Sequence, residues 1–556
     1  MFAFAAAILV LMSIVLCRIL SRVQRQRVNY FLRPRLELLE DRLAPAVITV
    51  QNNWDNGLGS LRNAVAAANN GDTINFANPL NGGQIITLLN VIPINRSITI
   101  QGPGLGQGMV TISGNNATQL FFVNTGLNVT LNSLTLNSGV AQLGGAIGSL
   151  GNLTLNGDTF QNNRATGDGG GAISIAQGTN LTANGCAFLG NRGGAGGAIR
   201  SQGANNIILL GDTFTQNTGV SFGGAIYAFT LTGSGSLQVS SCTFEQNSLT
   251  GGGAFQLGGG AIYAQDYGLA VSSSTFDNNN AGASNMGGAI DFRTVVVGQS
   301  IGLTVDYSTF TANRASGGGA MMIVVGQGVA FWGSVTRSYF SWNNAFGDPN
   351  SGNAVGGALY AYLLSNIANF SVKNDTFYGN GSTNNGGGIG LYLAGANCIV
   401  SLTSLTVWQN QADNQGGGLY ISLASGAPAP FVDNSIFATN YLNPQGSPAN
   451  NGFDVFGSVQ SLGYNLIGAR EGSSGWVMQG ASQDILGPAA NPIDPGLNDP
   501  AYNGGPTLNL SLKPGSPAFR AGDPTLAGTT DQRGFIRQSG TISIGAYDPD
   551  ARGIGP

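Results

Sequence analysis

A two-part sequence unit recurs through the middle of the chain at intervals of about thirty residues. Its first part is a large apolar residue with an asparagine three positions later, and its second part is a glycine pair followed by small and apolar residues. Phe214–Asn217 (FTQN) and Gly223–Tyr227 (GGAIY) show both parts. Copies begin at Phe160, Phe188, Phe214, Phe244, Phe276, Phe310, Phe340, Phe377, Val407 and Phe437. This period predicts a solenoid in which each repeat packs mainly on its neighbours.

Within the unit, side chains alternate with the period of a β-strand. After the glycine pair, Ile226 and Ala228 point to one side of the strand and Tyr227 points to the other. The glycines permit a turn with positive φ and a close approach between neighbouring coils. Together with the turn-bounded apolar segments before the repeats, this pattern predicts an all-β fold, a right-handed parallel β-helix with a short N-terminal capping helix.

The lead phenylalanine and the asparagine have structural roles in this prediction. Because the phenylalanines are large and periodic, we expect them to form an internal aromatic stack. We expect each asparagine to adopt a turn conformation open to few residue types and to hydrogen-bond the asparagine of the next coil. The predicted stack and ladder comprise Phe160, Asn163, Phe188, Asn191, Phe214, Asn217, Phe244, Asn247, Phe276, Asn279, Phe310 and Asn313.

The composition argues against several kinds of function. The chain has no histidine, which removes histidine-based acid–base chemistry and histidine-ligated metals. Its net charge is −4 with 9% charged residues, so no basic field is present to hold nucleic acid. Cys186 and Cys242 occupy the same place two coils apart, at about 10 Å, which is too far for a disulfide. No cofactor and no metal are predicted.

Residues 1–45 form an apolar and basic leader. Residues 1–17 are almost wholly apolar and arginines follow them, whereas a secretory signal normally places its positive charge first. A start site placed too far upstream is the alternative explanation. Arg33–Pro45 (RPRLELLEDRLAP) resembles the leader motif of many large bacterial surface and secreted proteins. The resemblance implies an extracellular, cell-surface or outer-membrane location. Membrane contact is expected only through the N-terminal apolar segment, if that segment is retained.

Residues 46–125 are predicted to form the N-terminal cap and the first coils. Ser60 is placed to cap a helix whose C′ residue would be Gly71, with Leu61, Ala64 and Ala68 on one face. Such a helix would cover the exposed edge of the first coil. The segment resembles the CSLREAI-type motif that opens many bacterial β-helices, with Gly59 in place of the initial cysteine of that family.

The repeats of residues 126–460 resemble those of the polymorphic outer membrane proteins, in which GGA[ILV] and FxxN motifs recur together. Those proteins are autotransported surface adhesins with β-helical passengers, and the resemblance implies the same fold and a surface role. Members of that family end in a membrane β-barrel, whereas this chain ends in Gly553–Pro556 (GIGP). Self-transport by an attached barrel is therefore not expected.

Residues 461–556 resemble the choice-of-anchor Q domain that follows β-helices in bacterial surface proteins. The resemblance rests on Asn503–Thr507 (NGGPT), Thr530–Gly534 (TDQRG) and Ile544–Tyr547 (IGAY), in that order. We expect this region to cap the last coil and prevent end-to-end stacking. Asp531 and Arg533 are expected to pair with each other or with turn groups.

Two functions remain open from the sequence. Right-handed β-helices include polysaccharide lyases and glycoside hydrolases, and the alternative function is such an enzyme. The nearest approach to an acidic patch is Asp266, Asp277, Asp291 and Asp306, with Arg293 close by. We interpret these aspartates as solvated strand and turn residues, because a catalytic cluster would concentrate them.

The favoured function is a non-catalytic surface or secreted protein with an adhesive or structural role. The position after each GGA[ILV] motif should face outward, and it carries an aromatic residue in several repeats. Exposed tyrosines suit stacking on sugars or contact with a protein partner, although they also suit packing under loops. The predicted ligand-binding residues are Tyr227, Tyr263, Tyr360 and Tyr420, and the predicted ligand is a glycan or a surface protein.

Overall fold

Parallel strands stack from coil to coil in four sheets, which the chain visits in a constant order. The computed structural model describes residues 45–77, 84–104, 108–203, 205–231, 235–251, 257–347, 354–443 and 452–553. The leader lies outside the described residues, apart from Pro45. From Pro45 onward the chain forms one compact unit.

The first two sheets contain 15 strands each. The strands of the first sheet are Val47–Val50, Thr73–Phe76, Thr99–Gln101, Asn128–Asn132, Asn152–Asn156, Asn180–Asn184, Asn206–Leu210, Gly235–Ser240, Tyr267–Ser272, Ser300–Asp306, Ala330–Thr336, Ala368–Lys373, Ile399–Thr403, Phe431–Asp433 and Gln460–Gly463. Those of the second are Ile85–Thr87, Val110–Ser113, Leu134–Asn137, Thr159–Gln161, Ala187–Leu189, Thr213–Thr215, Thr243–Glu245, Thr275–Asp277, Thr309–Thr311, Tyr339–Ser341, Thr376–Tyr378, Thr406–Trp408, Ile436–Ala438, Leu466–Ile467 and Ile485–Leu486.

The third sheet has 11 strands and the fourth has 14. The strands of the third are Val140–Ala141, Arg164–Ala165, Arg192–Ala195, Thr218–Phe222, Ser248–Leu249, Asn280–Gly282, Arg314–Ala315, Asn344–Ala345, Gly381–Ser382, Gln411–Ala412 and Tyr441–Leu442. Those of the fourth are Ile92–Ile94, Phe121–Val123, Ile147–Ser149, Ile173–Ile175, Ile199–Gln202, Ile226–Phe229, Ile262–Gln265, Ile290–Thr294, Met321–Val325, Leu359–Leu363, Ile389–Leu393, Leu419–Leu423, Val455–Ser458 and Ser473–Ser474.

The α-helix α1 (Leu61–Ala67) covers the first coil. Ser60 is its N-cap and the Ser60 Oγ accepts from the Asn63 N–H at 3.2 Å. The prediction that Gly71 is the C′ residue is wrong, because the last helical bond runs from the Ala68 N–H to Ala64 O. The next N–H turns away to the carboxylate of Asp72 at 2.8 Å. A short 3₁₀ helix, Pro524–Leu526, lies near the C-terminus.

The core is a narrow apolar column inside the coils. The phenylalanines of the repeat stack on one another with centroids 4.6 to 4.9 Å apart and rings within 6° of parallel, from Phe160 to Phe377. This spacing matches the distance between hydrogen-bonded strands. The strand register of the second sheet therefore sets the ring separation.

The asparagines three residues after these aromatics form a buried ladder. Each Nδ2 donates to the Oδ1 of the next asparagine at 2.9 to 3.0 Å, from Asn163 to Asn440. The same Oδ1 also accepts from the backbone N–H of the preceding asparagine, as between Asn217 and Asn247 at 3.0 Å. The side chains thereby satisfy backbone donors that the turn leaves without partners.

The residue with the unusual backbone conformation is not the asparagine itself. Gln216, directly before Asn217, has a φ of 56°, and Gln246 before Asn247 has a φ of 55°. The expectation that the asparagine adopts this conformation is wrong by one position. The asparagine is required for the buried hydrogen bonds, whereas the residue before it makes the left-handed turn.

The glycine pair serves two different geometric needs. Gly223 has a φ of +55°, which favours glycine. Gly224 has no positive φ, but a Cβ added there would lie 1.9 Å from the Gly260 carbonyl oxygen in the next coil. The first glycine makes the turn and the second allows the coils to approach.

A second row of turn residues lies between the first and second sheets. Here aspartate or serine side chains accept from backbone N–H groups of the preceding coil, as in the 2.6 Å bond from the Cys186 N–H to Asp212 Oδ1. Burial of these carboxylates raises their pKa, to about 7 for Asp158 and about 6 for Asp212. Cys186 and Cys242 occupy the same row as free, buried thiols.

The C-terminal region does more than close the end of the solenoid. Strands continue to Leu486, so the boundary expected at 461 falls within the last coils. The chain then folds back along the corner between the first two sheets, where Gln532 accepts from Thr376 Oγ1 at 2.6 Å and donates to Ser338 O at 3.2 Å. The region therefore packs along the side of several coils, a placement that the expected capping of the last coil does not include.

The motifs that carry the choice-of-anchor Q resemblance meet in this lateral segment. Arg533 forms an ion pair with Asp531 at 2.7 Å, and its guanidinium lies 4.1 Å from the centroid of the Tyr547 ring. It also donates to the Asn503 carbonyl oxygen at 3.2 Å. Residues far apart in the motif order thus form one buried structural cluster, and the expected pairing of Asp531 with Arg533 is present.

Candidate ligand-binding face on the fourth sheet

The four predicted tyrosines lie in one outward row of the fourth sheet. Strand pairing aligns this row from coil to coil as Arg200, Tyr227, Tyr263, Asp291, Met322, Tyr360, Gly390, Tyr420 and Phe456. Alternation along each strand places these side chains opposite the buried ones. The aromatic members separate into two groups, with Asp291 and Met322 between them.

The first group is centred on Tyr227 and Tyr263, whose rings stack at 5.6 Å. Phe222, from the neighbouring strand of the third sheet, lies 5.3 Å from each of them. Tyr263 is only 1% exposed and its hydroxyl donates to Gln265 Oε1 at 2.6 Å. The prediction that Tyr263 faces solvent is therefore wrong, because the Phe222 segment covers it. Tyr227 remains half-buried.

The second group is larger and lies toward the C-terminal coils. Tyr362 and Tyr392 stack at 4.4 Å with planes 10° apart, and Tyr360 meets Tyr362 edge-on at 6.2 Å. Tyr420 stacks on Phe456 at 5.7 Å. All five rings are half-buried, so each packs on a neighbour and keeps part of its surface in water. This group is the aromatic face.

Sequence reasoning missed Tyr362 and Tyr392. Both lie two residues after the predicted outward position, and two-residue alternation places them on the same side of the sheet. The signal was therefore available in Leu359–Leu363 (LYAYL) and Ile389–Leu393 (IGLYL), where apolar and outward residues alternate. The predicted set contains only the first outward position of each repeat.

A buried ion pair separates the two aromatic groups. Arg293 Nε lies 2.8 Å from Asp291 Oδ1, and the Gly258 N–H donates to Asp291 Oδ2 at 2.9 Å. Burial raises the pKa of Asp291, and the adjacent guanidinium opposes that rise. The carboxylate is wholly enclosed, so it is not a solvated strand residue as we expected from sequence.

The structure distributes the four aspartates of the proposed acidic patch over several sheets. Asp266 and Asp291 both lie beside Tyr263, but Asp277 belongs to the second sheet and Asp306 to the first. Asp266 is buried and accepts from the Val295 N–H at 2.8 Å, and Asp306 pairs with Arg337. They do not converge on one site, and three of them hold local structure.

The chemistry of the aromatic face is that of neutral hydrogen-bond donors on apolar rings. Burial raises the pKa of Tyr360 and of Tyr362, so both phenols stay protonated at neutral pH. Among the described residues, no group of three acidic or cysteine side chains is placed to hold a metal ion. The described part of the chain also has no helix of the length and apolarity that crossing a bilayer requires.

Comparison with known proteins agrees with this architecture. Residues 152–345 match the family described as a right handed beta helix region, and the chain is a right-handed parallel β-helix. A stretch of 234 residues is 31% identical to a probable outer membrane protein, pmp6, of Chlamydia pneumoniae. The match covers 40% of this chain and 14% of that protein, so the chain spans about a seventh of its relative.

Proposed function

We propose that this chain is a non-catalytic β-helix protein of the cell surface or of the secreted fraction, which presents its aromatic face to a glycan or a protein ligand. The observation that carries the proposal is the stacked, half-exposed pair Tyr362 and Tyr392. Flat rings with a polar edge favour sugar faces and protein hot spots, because they bury area at little entropic cost. Similarity to an outer membrane protein supports the surface location.

Binding by the full-length protein to glycan arrays and to immobilised surface proteins tests the role. Tyr362→Ala combined with Tyr392→Ala should weaken binding by about tenfold or more, because a well-packed aromatic pair contributes on the order of 1 kcal/mol beyond its buried area. Trp332→Ala is the control, since Trp332 is 51% exposed on the first sheet. Unchanged binding in the double variant would refute the role of the aromatic face.

The enzymatic alternative is tested in the same samples. Acidic and neutral polysaccharides incubated with the protein, with and without Ca²⁺, should show no new reducing ends and no unsaturated products. Turnover lost in Asp277→Asn would contradict the non-catalytic proposal. Protease shaving of intact cells tests location, because a surface protein should lose full-length antigen while a cytoplasmic marker persists.

A further inference from the structure

A groove of about 600 Å³ lies where the solenoid meets the C-terminal segment. One side comes from the corner between the second and third sheets, with Trp408 and Tyr441. The other comes from the segment after the last coil, with Asp494, Leu497 and Lys513. Residues separated by about a hundred positions therefore line one cavity, whose volume suits a small ligand. We call it the C-terminal groove.

A column of aromatic side chains leads into the C-terminal groove along the outside of the coils. The ring of Trp342 meets Tyr378 at 5.3 Å, and Tyr378 stacks on Trp408 at 5.5 Å. Tyr441, at the groove, is 48% exposed. Contacting aromatic rings thus connect an exposed platform, Trp342, with the cavity lining at Trp408.

Trp342 is a large, exposed aromatic residue at a turn position of the repeat. It has a φ of 56° and is 59% exposed. The equivalent position has a positive φ in other coils too, where it carries residues such as Gln216, Thr439 and Gly379. The Trp342 ring lies against Gly379. The turn geometry is thus shared by the repeat, and this coil differs in holding a large apolar ring in solvent, where it does not fill the core.

The polar groups of the groove are few, and they include both hydrogen-bond donors and hydrogen-bond acceptors. Lys513 has no ion-pair partner in the part of the chain that the structure describes. Asp494 holds one backbone N–H, that of Gly496, at 2.9 Å. The indole N–H of Trp408, a residue only 8% exposed, is buried and finds no acceptor among the described residues. The groove lining therefore carries one cation, Lys513, and two acidic side chains, Asp494 and the buried Asp454, so it has no excess of positive charge.

We propose that the C-terminal groove and its aromatic column bind a short neutral oligosaccharide, with Trp342 as the outer stacking platform. The C–H faces of pyranose rings pack on aromatic faces, and their hydroxyls need both donors and acceptors. Lys513 supplies donors and Asp494 supplies acceptors, and the lining has no excess of positive charge to favour an acidic sugar. The site lies apart from the aromatic face of the fourth sheet, so it stands or falls independently of the proposed function.

Isothermal titration of the full chain with neutral tetrasaccharides of β-1,4-linked glucose, N-acetylglucosamine, mannose and xylose tests the proposal, with tetragalacturonate as the acidic comparator. At least one neutral probe should bind and change tryptophan fluorescence. Trp342→Gly should weaken that binding about tenfold while folding normally, since the position is compatible with glycine. Lys513→Met should weaken it by a similar factor.

Two controls make the result specific. Trp332→Ala removes a tryptophan of similar exposure that lies over Gly302 on the first sheet, and it should leave binding unchanged. The Tyr362→Ala and Tyr392→Ala double variant should also leave it unchanged. Failure of every neutral probe to bind, tighter binding of tetragalacturonate, or binding that is unaltered in Trp342→Gly would each overturn the proposal.

Discussion

The amide ladder ends on a carboxylate: the backbone N–H and the Nδ2 of Asn440 both donate to Asp454 Oδ1 at 2.9 Å. The other carboxylate oxygen accepts from the Ala469 N–H at 2.7 Å. N–H donors approach Asp454 from two sides. A carboxylate, which has only acceptors, fits this position, whereas an amide would place its own N–H against one of these donors. The second turn row ends in the same way, with Asn465 donating to Asp484.

Replacing this terminal acceptor should loosen the last coils. Asp454→Ala leaves three donors without their partner, and each unsatisfied buried donor costs about 1–3 kcal/mol. We expect faster hydrogen exchange at the amides of Asn440 and Ala469, and smaller increases in exchange rate in coils nearer the N-terminus. Asp413→Ala is the control, because this partly exposed side chain accepts no hydrogen bond from the described residues. Equal exchange in both variants would contradict a terminal role for Asp454.

The glycine pair predicts a sharp contrast between two alanine substitutions. Gly224→Ala would bring its Cβ to 1.9 Å from Gly260 O and should destabilise the protein by several kcal/mol, since backbone of the next coil must move. Gly268→Ala, whose nearest atom would be 3.8 Å away, should have little effect. Urea denaturation followed by circular dichroism measures both. Similar midpoints would show that the coils yield more easily than this packing implies.

The buried ion pair beneath the fourth-sheet surface should respond strongly to loss of its cation. Arg293→Met leaves the enclosed Asp291 carboxylate without its guanidinium, and breaking such a pair costs about 3–5 kcal/mol. Arg520→Met removes the cation of an exposed pair with Asp550 and should cost much less, because water screens the attraction between exposed charges. Comparing the two free energies of unfolding checks the prediction, which fails if the costs are alike.

The raised pKa of Asp212 makes part of the stability depend on pH. Burial raises this pKa from 3.8 to about 6, so the folded state binds the proton more tightly than the unfolded state. The protonated Asp212 carboxyl makes its full contribution to the free energy of unfolding below about pH 4. This contribution is lost as the pH rises through 6. From pH 4 to pH 8, the free energy of unfolding of Asp212→Asn relative to the parent should therefore rise by roughly 3 kcal/mol.

This change is read from denaturation at several pH values. Asp413→Asn, at a partly exposed position, provides the baseline. A relative stability of Asp212→Asn that stays flat across the range would mean that the Asp212 carboxylate titrates near its ordinary pKa despite its burial.

Much of the coil was accessible from the sequence because its causes are local and repeated. The Phe214 stack, the Asn217 hydrogen bonds and the inward Ile226 follow from a strand period of two and from a repeat that brings equivalent residues into register. The error of one position at Gln216 has the same origin, since asparagine favours left-handed turns in general and the sequence offered no measure of burial. The outward positions of Tyr362 and Tyr392 follow from the same alternation, applied two residues further along each strand.

What the sequence determined by itself is the solenoid, its interior and its N-terminal helix, because each depends on spacing between near neighbours or on identical neighbours in the next coil. Only the tertiary structure decided that Phe222 covers Tyr263 and that Asp291 is enclosed with Arg293. It also decided that the C-terminal segment lies along the coils and forms a groove with Trp408. These contacts join segments whose separation in the chain follows no period, so a repeating pattern of residues does not predict them.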